Sequence, residues 1–244
     1  MSFELRSTQS GFAVWALASE PPFTPIPGLE RRGLRKLFVF GSSVALGKGA
    51  KKNLGWVDIV RKKTQFSFSI KNLSVSGGTT ATILDLLTAN EGTLRVSAKD
   101  IAVVSLSLSN EGLAAHDGVQ NQQRVAGCFM QGLTRIVARL ESLGFRRILL
   151  ATPYPCSRFD TGTHHQIIQA VIRDMLMIFE NSLPTHTRVQ IVDFYDCLRI
   201  DGTGKWLKRC RADDFHPNAA GHATMAALFL DALHEKSKVL PHGK

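Results

Sequence analysis

Residues 37–50 read LFVFGSSVALGKGA. The apolar run Leu37-Phe38-Val39-Phe40 has the length and composition of a buried strand, and it meets Gly41-Ser42-Ser43 and then a stretch of small residues ending Gly47-Lys48-Gly49. A strand that stops at a tight turn and presents a hydroxyl at its carboxyl end is how open α/β sheets place their chemistry. Ser43 is therefore a candidate nucleophile, and the rest of the chain must supply its partners. A phosphate-binding loop does not fit the same stretch. Five residues separate Gly41 from Gly47, and Gly49 follows Lys48 where a magnesium-holding hydroxyl would be needed.

Downstream, Trp56 to Lys63 predicts a short helix, and Phe66 to Leu73 alternates as a second strand that runs into Ser74-Val75-Ser76-Gly77-Gly78. Thr79 to Asn90 is helical, with Ile83, Leu84, Leu86 and Leu87 apolar. Ile101 to Leu106 is apolar almost throughout, the mark of a central strand buried on both faces. Asn121 to Leu143 is the longest helix, carrying Val125, Cys128, Phe129, Leu133, Ile136, Val137 and Leu140 at helical spacing, with Gly144 as its stop. Arg147 to Thr152 predicts a fourth strand, His165 to Leu183 a helix closed by Pro184, and Arg188 to Phe194 a fifth strand. Pro217 to His234 is the last helix, with Pro217 expected in its first turn. Met175, Met177 and Met225 read as core filler. Strand and helix alternate throughout, which predicts a three-layer α/β/α sandwich around a five-stranded parallel sheet, doubly wound and flavodoxin-like in order.

Upstream, Pro21, Pro22, Pro25 and Pro27 exclude a helix, and Arg31, Arg32, Arg35 and Lys36 form a basic lead-in to the first strand. The expected organisation is an irregular extension over residues 1–35, a domain over 36–236 and a short tail over 237–244. At 44% hydrophobic and 20% charged residues over 244 positions, the chain has ample material for one sizeable core. Its net charge of +10 reads first as a solvated basic surface, and next as attraction to acidic glycans, anionic lipid or other polyanions. No Lys/Arg block with interleaved aromatics occurs, so nucleic acid is not an expected partner. No apolar run approaches the roughly 20 residues of a membrane helix, so no integral membrane segment is expected. Met1 to Glu20 lacks the pattern of a secretion signal, which favours the cytoplasm. Cys128, Cys156, Cys197 and Cys210 are far apart and form no CxxC pair, so the default is reduced thiols, with a disulfide between two of them left open. His164 and His165 are adjacent and face different ways, and no metal site is expected.

Partners for Ser43 are found in Asp213-Asp214-Phe215-His216-Pro217-Asn218-Ala219-Ala220-Gly221-His222. Asp213 and His216 are three apart, a spacing that lets a carboxylate orient an imidazole from the same loop. Ser43, Asp213 and His216 then form a possible nucleophile–base–orienter triad. Gly77 and Gly78 after the second strand can aim backbone N–H groups at an oxyanion, or can simply make a tight turn. Asn110, in Ser107-Leu108-Ser109-Asn110-Glu111-Gly112, can donate a side-chain amide to the same charge, or serve as a turn residue.

In order, these four stretches resemble the signature blocks of the SGNH hydrolases, the GDSL esterase/lipase family. Ser43 matches the serine of the first block, Gly77 the glycine of the second, Asn110 the asparagine of the third, and Asp213 with His216 the last. The resemblance spans Leu37 to His222, about three-quarters of the chain. It implies the three-layer fold, hydrolysis of esters or thioesters through an acyl-serine without a cofactor, and an oxyanion hole made by the Ser43 N–H, the Gly77 N–H and the Asn110 amide. Thr152-Pro153-Tyr154-Pro155 is a rigid turn in its own right. It also falls where the family lines its substrate cleft, which makes Tyr154 a candidate substrate contact. Asp193-Phe194-Tyr195-Asp196 is read as structural first.

Two positions depart from the family pattern. The usual Gly-Asp-Ser is Gly41-Ser42-Ser43, and the usual Gly-x-Asn-Asp is Leu108-Ser109-Asn110-Glu111, where Leu108 either narrows the pocket or points into the core. The expected function is hydrolysis of short-acyl carboxylic esters, acetylated carbohydrate and lipid esters among them. The alternative is a non-catalytic carbohydrate- or lipid-binding module on the same fold. Substrate choice is expected from loops 112–120 and 155–163, which carry His116 and Arg158.

Overall fold

Alternation along the first strand builds the layers. In the computed structural model, which describes residues 34–113, 117–156, 162–180, 187–200 and 205–234, strand β1 runs Arg35–Gly41. Phe38 and Phe40 pack into one core cluster, Leu37 and Val39 into another on the opposite face. A strand buried on both sides needs apolar residues at every position, which is why this segment reads as a continuous run. The strand begins two residues before the apolar run: Arg35 and Lys36 are part of it, their side chains bonding the Lys99 and Arg95 carbonyls.

The remaining elements are α1 (Trp56–Thr64), β2 (Phe68–Asn72), α2 (Thr80–Ala89), β3 (Ile101–Ser105), α3 (Val119–Ser142), β4 (Arg147–Ala151), α4 (Gly162–Met175), β5 (Arg188–Val192) and α5 (Ala219–His234). All four strand pairings are parallel, in the order β2-β1-β3-β4-β5. This is the expected flavodoxin-like order, with β3 at the centre. Helices α2, α3 and α4 cover the face of Phe38, Ala102, Val104 and Leu150; α1 and α5 cover the face of Val39, Val103 and Leu149. The chain leaves β1 for β2 on one side and returns to β3 on the other, so the switch point lies between the carboxyl ends of β1 and β3, where Gly41 pairs with Ser105.

Helix α3 ends as its sequence requires. Gly144 has φ of +99°, the Gly144 N–H bonds the Glu141 carbonyl and the Phe145 N–H bonds the Leu140 carbonyl, closing a Schellman motif. Two expectations are corrected. Pro217 lies outside α5, which starts at Ala219; the Asn218 side chain is the cap, accepting from the Ala220 and Gly221 amides. Met175 and Met225 are core residues, but Met177 is 54% exposed. It sits in a π-helical turn, Leu176–Glu180, that breaks the 3.6-residue period and turns Leu176, Met177 and Ile178 outward. All four cysteines are free thiols.

Among the described residues no helix is long and apolar enough to cross a membrane, and no group of three metal-ligating side chains converges. Residues 1–33 and 235–244, Pro184, His116 and Arg158 lie outside the described residues.

Candidate active site

Past Gly41 the chain coils tightly. The Ser42 carbonyl accepts from the Ala45 and Leu46 amides, and the Ser43 carbonyl from the Lys48 amide. Asn72 at the end of β2 braces this coil by donating to the Ala45 carbonyl at 2.7 Å, and the Val75 amide bonds the Gly41 carbonyl. These contacts lay the β2–α2 loop beside the serine. Gly77 follows with φ of +72°, a left-handed conformation that suits glycine. Neither the Ser43 nor the Gly77 N–H is spent on a hydrogen bond among the described residues.

Across the switch point, the loop after β3 brings Asn110 to the same place. One of its two amide N–H groups donates to the Gly78 carbonyl at 3.1 Å, which leaves the other. Glu111 ties the two loops together. Its carboxylate accepts from the Thr80 amide at 2.6 Å and from the Thr80 hydroxyl at 3.2 Å, at the first turn of α2. Burial pushes the Glu111 carboxyl up, against the opposing pull of those two bonds. Leu108, at 2% exposure, points into the core rather than the pocket.

The loop before α5 delivers the base. His216 Nε2 accepts from the Ser43 hydroxyl at 3.2 Å, and His216 Nδ1 donates to both Asp213 oxygens at 2.9 Å. Asp213 Oδ1 also takes the Phe215 and His216 amides, at 2.7 and 2.9 Å. Burial raises the Asp213 carboxyl, but the Phe215 amide and the His216 ring and amide outweigh it, so the group titrates below the usual carboxylate range. Asp213 is thus a carboxylate at neutral pH, aligned on the imidazole. Gly49 backs the base: a Cβ there would lie 2.2 Å from the Pro217 carbonyl and 2.9 Å from His216 Cβ, and φ is +93°. Only glycine lets the serine loop and the histidine loop approach this closely.

Ser43 and His216, 8% and 9% exposed, open onto a cleft of about 290 Å³ with Gly77, Asn110 and Tyr154, joined by Lys48, Ser76, Ser109 and Phe215. Every expected site residue except Asp213, which stands behind His216, lines this one cavity. Tyr154 is 4% exposed, its hydroxyl 3.5 Å from Ser42 Oγ. Burial raises the Tyr154 phenol, the Ser42 and Ser107 hydroxyls opposing, so it stays protonated. Where the family pattern has an aspartate, a neutral serine therefore faces a neutral phenol. Asp193 is structural, its Oδ1 accepting from the Thr152 hydroxyl and the Tyr195 and Asp196 amides.

One functional neighbour escaped the sequence reading although it stands in the quoted stretch. His222 is fully buried; its Nδ1 accepts the Trp56 amide at 3.2 Å and its Nε2 donates to the Lys48 carbonyl at 3.0 Å. The ring clamps the serine loop to α1 and α5, and only the neutral Nε2–H form satisfies both bonds. Desolvation chiefly, with His216 adding to it, holds His222 below the ordinary 6.5, while the Lys48 carbonyl and Asp58 pull the other way. The unfolded chain therefore takes up the proton first. Its contribution to stability is complete above about pH 6.5 and is lost as pH falls towards the depressed folded value. Thermal melts should show a steeper drop as pH falls below about 6.5 in the wild type than in His222→Gln, whose amide can make both bonds without titrating. Equal slopes would remove His222 from the explanation.

Comparison with known proteins agrees with this fold. A family model described as GDSL-like Lipase/Acylhydrolase matches residues 39–224. No curated protein matches the chain. Among solved structures, it is similar to a lipolytic protein of the G-D-S-L family from Veillonella parvula (TM-score 0.60, 13% identity, 83% of this chain and 100% of that one). It is similar also to the lipase Lip_vut3 from a goat rumen metagenome (TM-score 0.64, 13% identity, 81% and 97%). A third likeness is to the psychrotrophic esterase EstA from Pseudoalteromonas sp. (TM-score 0.55, 16% identity, 82% and 96%). At these identities the structural likenesses speak for the fold.

Proposed function

The chain belongs to the GDSL-like lipase/acylhydrolase family and is a carboxylic ester hydrolase, and from that premise we propose that it cleaves short-acyl esters through an acyl-serine formed on Ser43. The observation that carries the reading is the unbroken line from Ser43 Oγ through His216 to the ionised Asp213, beside N–H groups at Ser43 and Gly77 that no described residue takes up. His216 takes the serine proton as Oγ attacks the acyl carbon, and Asp213 holds the ring in the Nδ1–H tautomer and stabilises the imidazolium. The Ser43 and Gly77 amides and the free Asn110 N–H receive the charge on the carbonyl oxygen. The proton on His216 then passes to the leaving alcohol, which breaks the ester bond. Water, deprotonated by the same ring, attacks the acyl-serine, and the carboxylic acid is released as Ser43 regains its proton.

Short acyl groups are favoured by the wall around the oxyanion side. Ser76, Ser109 and Asn110 are polar and Leu108 is turned away, so the described wall offers a long acyl chain little apolar surface. The test is a series of para-nitrophenyl esters from acetate to decanoate. The highest kcat/KM is expected on the shortest members, and Asn110→Ala should lower it by about 10²- to 10³-fold, roughly 3 kcal/mol of transition-state stabilisation. A maximum on the long esters would overturn the short-acyl reading, and an unchanged rate in folded Asn110→Ala would remove that side chain from the oxyanion hole.

A further inference from the structure

Among the described residues, the cleft wall carries one cation. Lys48 lines the cavity with Ser43 and His216, and the other lining side chains are hydroxyls, an amide, two aromatic rings and an imidazole. Its side chain is exposed, and no acid pairs with its ammonium among the described residues. Of the carboxylates near the cleft, Asp213 is engaged by His216 and Glu111 by Thr80. Its backbone is fixed by two bonds, the Lys48 amide to the Ser43 carbonyl and the Lys48 carbonyl to His222. A flexible charge on a rigid stem is thus held at the mouth of the site.

Position says which part of an ester it meets. The oxyanion donors Gly77 and Asn110 come from the loops after β2 and β3. Lys48 comes from the loop after β1, one residue before Gly49, which packs directly on His216 and Pro217. His216 is the group that protonates the departing alcohol, so Lys48 stands on the leaving-group side. Most charged side chains of the two segments nearby are basic, with Asp213 and Asp214 the exceptions. Lys51 and Lys52 follow in that loop, and Lys208, Arg209 and Arg211, all exposed, lie on the strand of chain that leads to Asp213.

We propose that Lys48 is an anion subsite on the leaving-group side, and that the natural substrate is an ester whose alcohol portion carries a carboxylate or phosphate. The inference rests on the acyl-serine reading above and deepens it from acyl length to alcohol charge. A basic collar steers such an ester to the cleft, and Lys48 holds its anion while the acyl carbon reaches Ser43.

The experiment compares three acetyl esters: para-nitrophenyl acetate, its counterpart bearing a ring carboxylate, and a counterpart bearing a trimethylammonium group. Each kcat/KM is divided by that ester's own hydroxide-catalysed rate, which removes intrinsic leaving-group reactivity. The wild type should prefer the anionic ester over the neutral one by about fivefold, as expected for one partly exposed ion pair, and should disfavour the cationic one. Raising NaCl to about 0.5 M should erase the preference. In Lys48→Met the anionic-to-neutral ratio should fall to about that of free hydroxide, Lys48→Glu should invert it towards the cationic ester, and Lys48→Arg should keep it. Hydrolysis of the neutral ester with the same ratio in wild type and Lys48 variants would overturn the subsite and leave the esterase reading standing. Failure to hydrolyse any of the three, together with failure of a fluorophosphonate to label Ser43, would overturn the esterase reading and the subsite with it.

Discussion

Replacing Ser43 with alanine is expected to lower kcat/KM on para-nitrophenyl acetate by about 10⁵- to 10⁶-fold, because the acyl-enzyme route is lost as a unit rather than weakened. The magnitude follows from the geometry. Ser43 Oγ is the atom His216 Nε2 faces at 3.2 Å, and the neighbouring hydroxyl does not substitute for it: Ser42 Oγ is fully buried and turned to Tyr154. Folding should be nearly untouched. The coil after β1 is held by backbone bonds of Ser42, Ser43 and Val44, none of which uses the Ser43 hydroxyl. A fluorophosphonate should add its phosphorus to Ser43 of the wild type, with loss of fluoride, and leave Ser43→Ala unlabelled by mass spectrometry. Label on the variant, or hydrolysis above the rate of free imidazole, would assign the nucleophile to another residue.

The sheet was legible in the sequence because both of its faces are buried. Each of β1 and β3 therefore had to be a continuous apolar run, and their turns had to carry the polar chemistry. Gly144 was legible for a similar reason, since a helix ending in a left-handed residue selects glycine. What could not be read were contacts closed only by folding. His222 meets Trp56 and Lys48 from 166 and 174 positions away, and Glu111 meets Thr80 across 31. No local pattern distinguishes a buried histidine clamp from one facing solvent. The start of α5 was misplaced for a local reason: Pro217 is permitted in a first turn, but the Asn218 side chain competes for the Ala220 and Gly221 amides and sets the boundary two residues on. The π-turn at Leu176–Glu180 was illegible because its apolar run continues the helical pattern while its backbone does not.

Asp213→Asn is expected to cost about a thousandfold in kcat/KM, from a change of proton rather than a change of shape. Asp213 Oδ1 organises its own loop by accepting the Phe215 and His216 amides, and an asparagine oxygen can keep both bonds. The amide nitrogen then takes the place of Oδ2, one of the two oxygens that His216 Nδ1 faces at 2.9 Å. Its N–H groups oppose the Nδ1–H there, and the oxygen that remains is shared with the Phe215 and His216 amides, so the imidazole shifts towards the Nε2–H form, in which Nε2 no longer accepts from Ser43. The loss should stay below the ~10⁴-fold seen where the carboxylate is fully buried, because the Asp213 side chain is 55% exposed and water can relieve part of the conflict. Asp213→Ala separates the two jobs of the carboxylate. It gives up the loop bonds as well as the tautomer, so it should lower the melting temperature further than Asn does while leaving a comparable residual rate. Fluorophosphonate should still label Ser43 in both variants, only slowly. An Asn variant with wild-type turnover would mean that His216 needs no orienting partner; an Asn variant as unstable as Ala would mean that the charge of Asp213, and not its hydrogen bonds to Phe215 and His216, holds the loop.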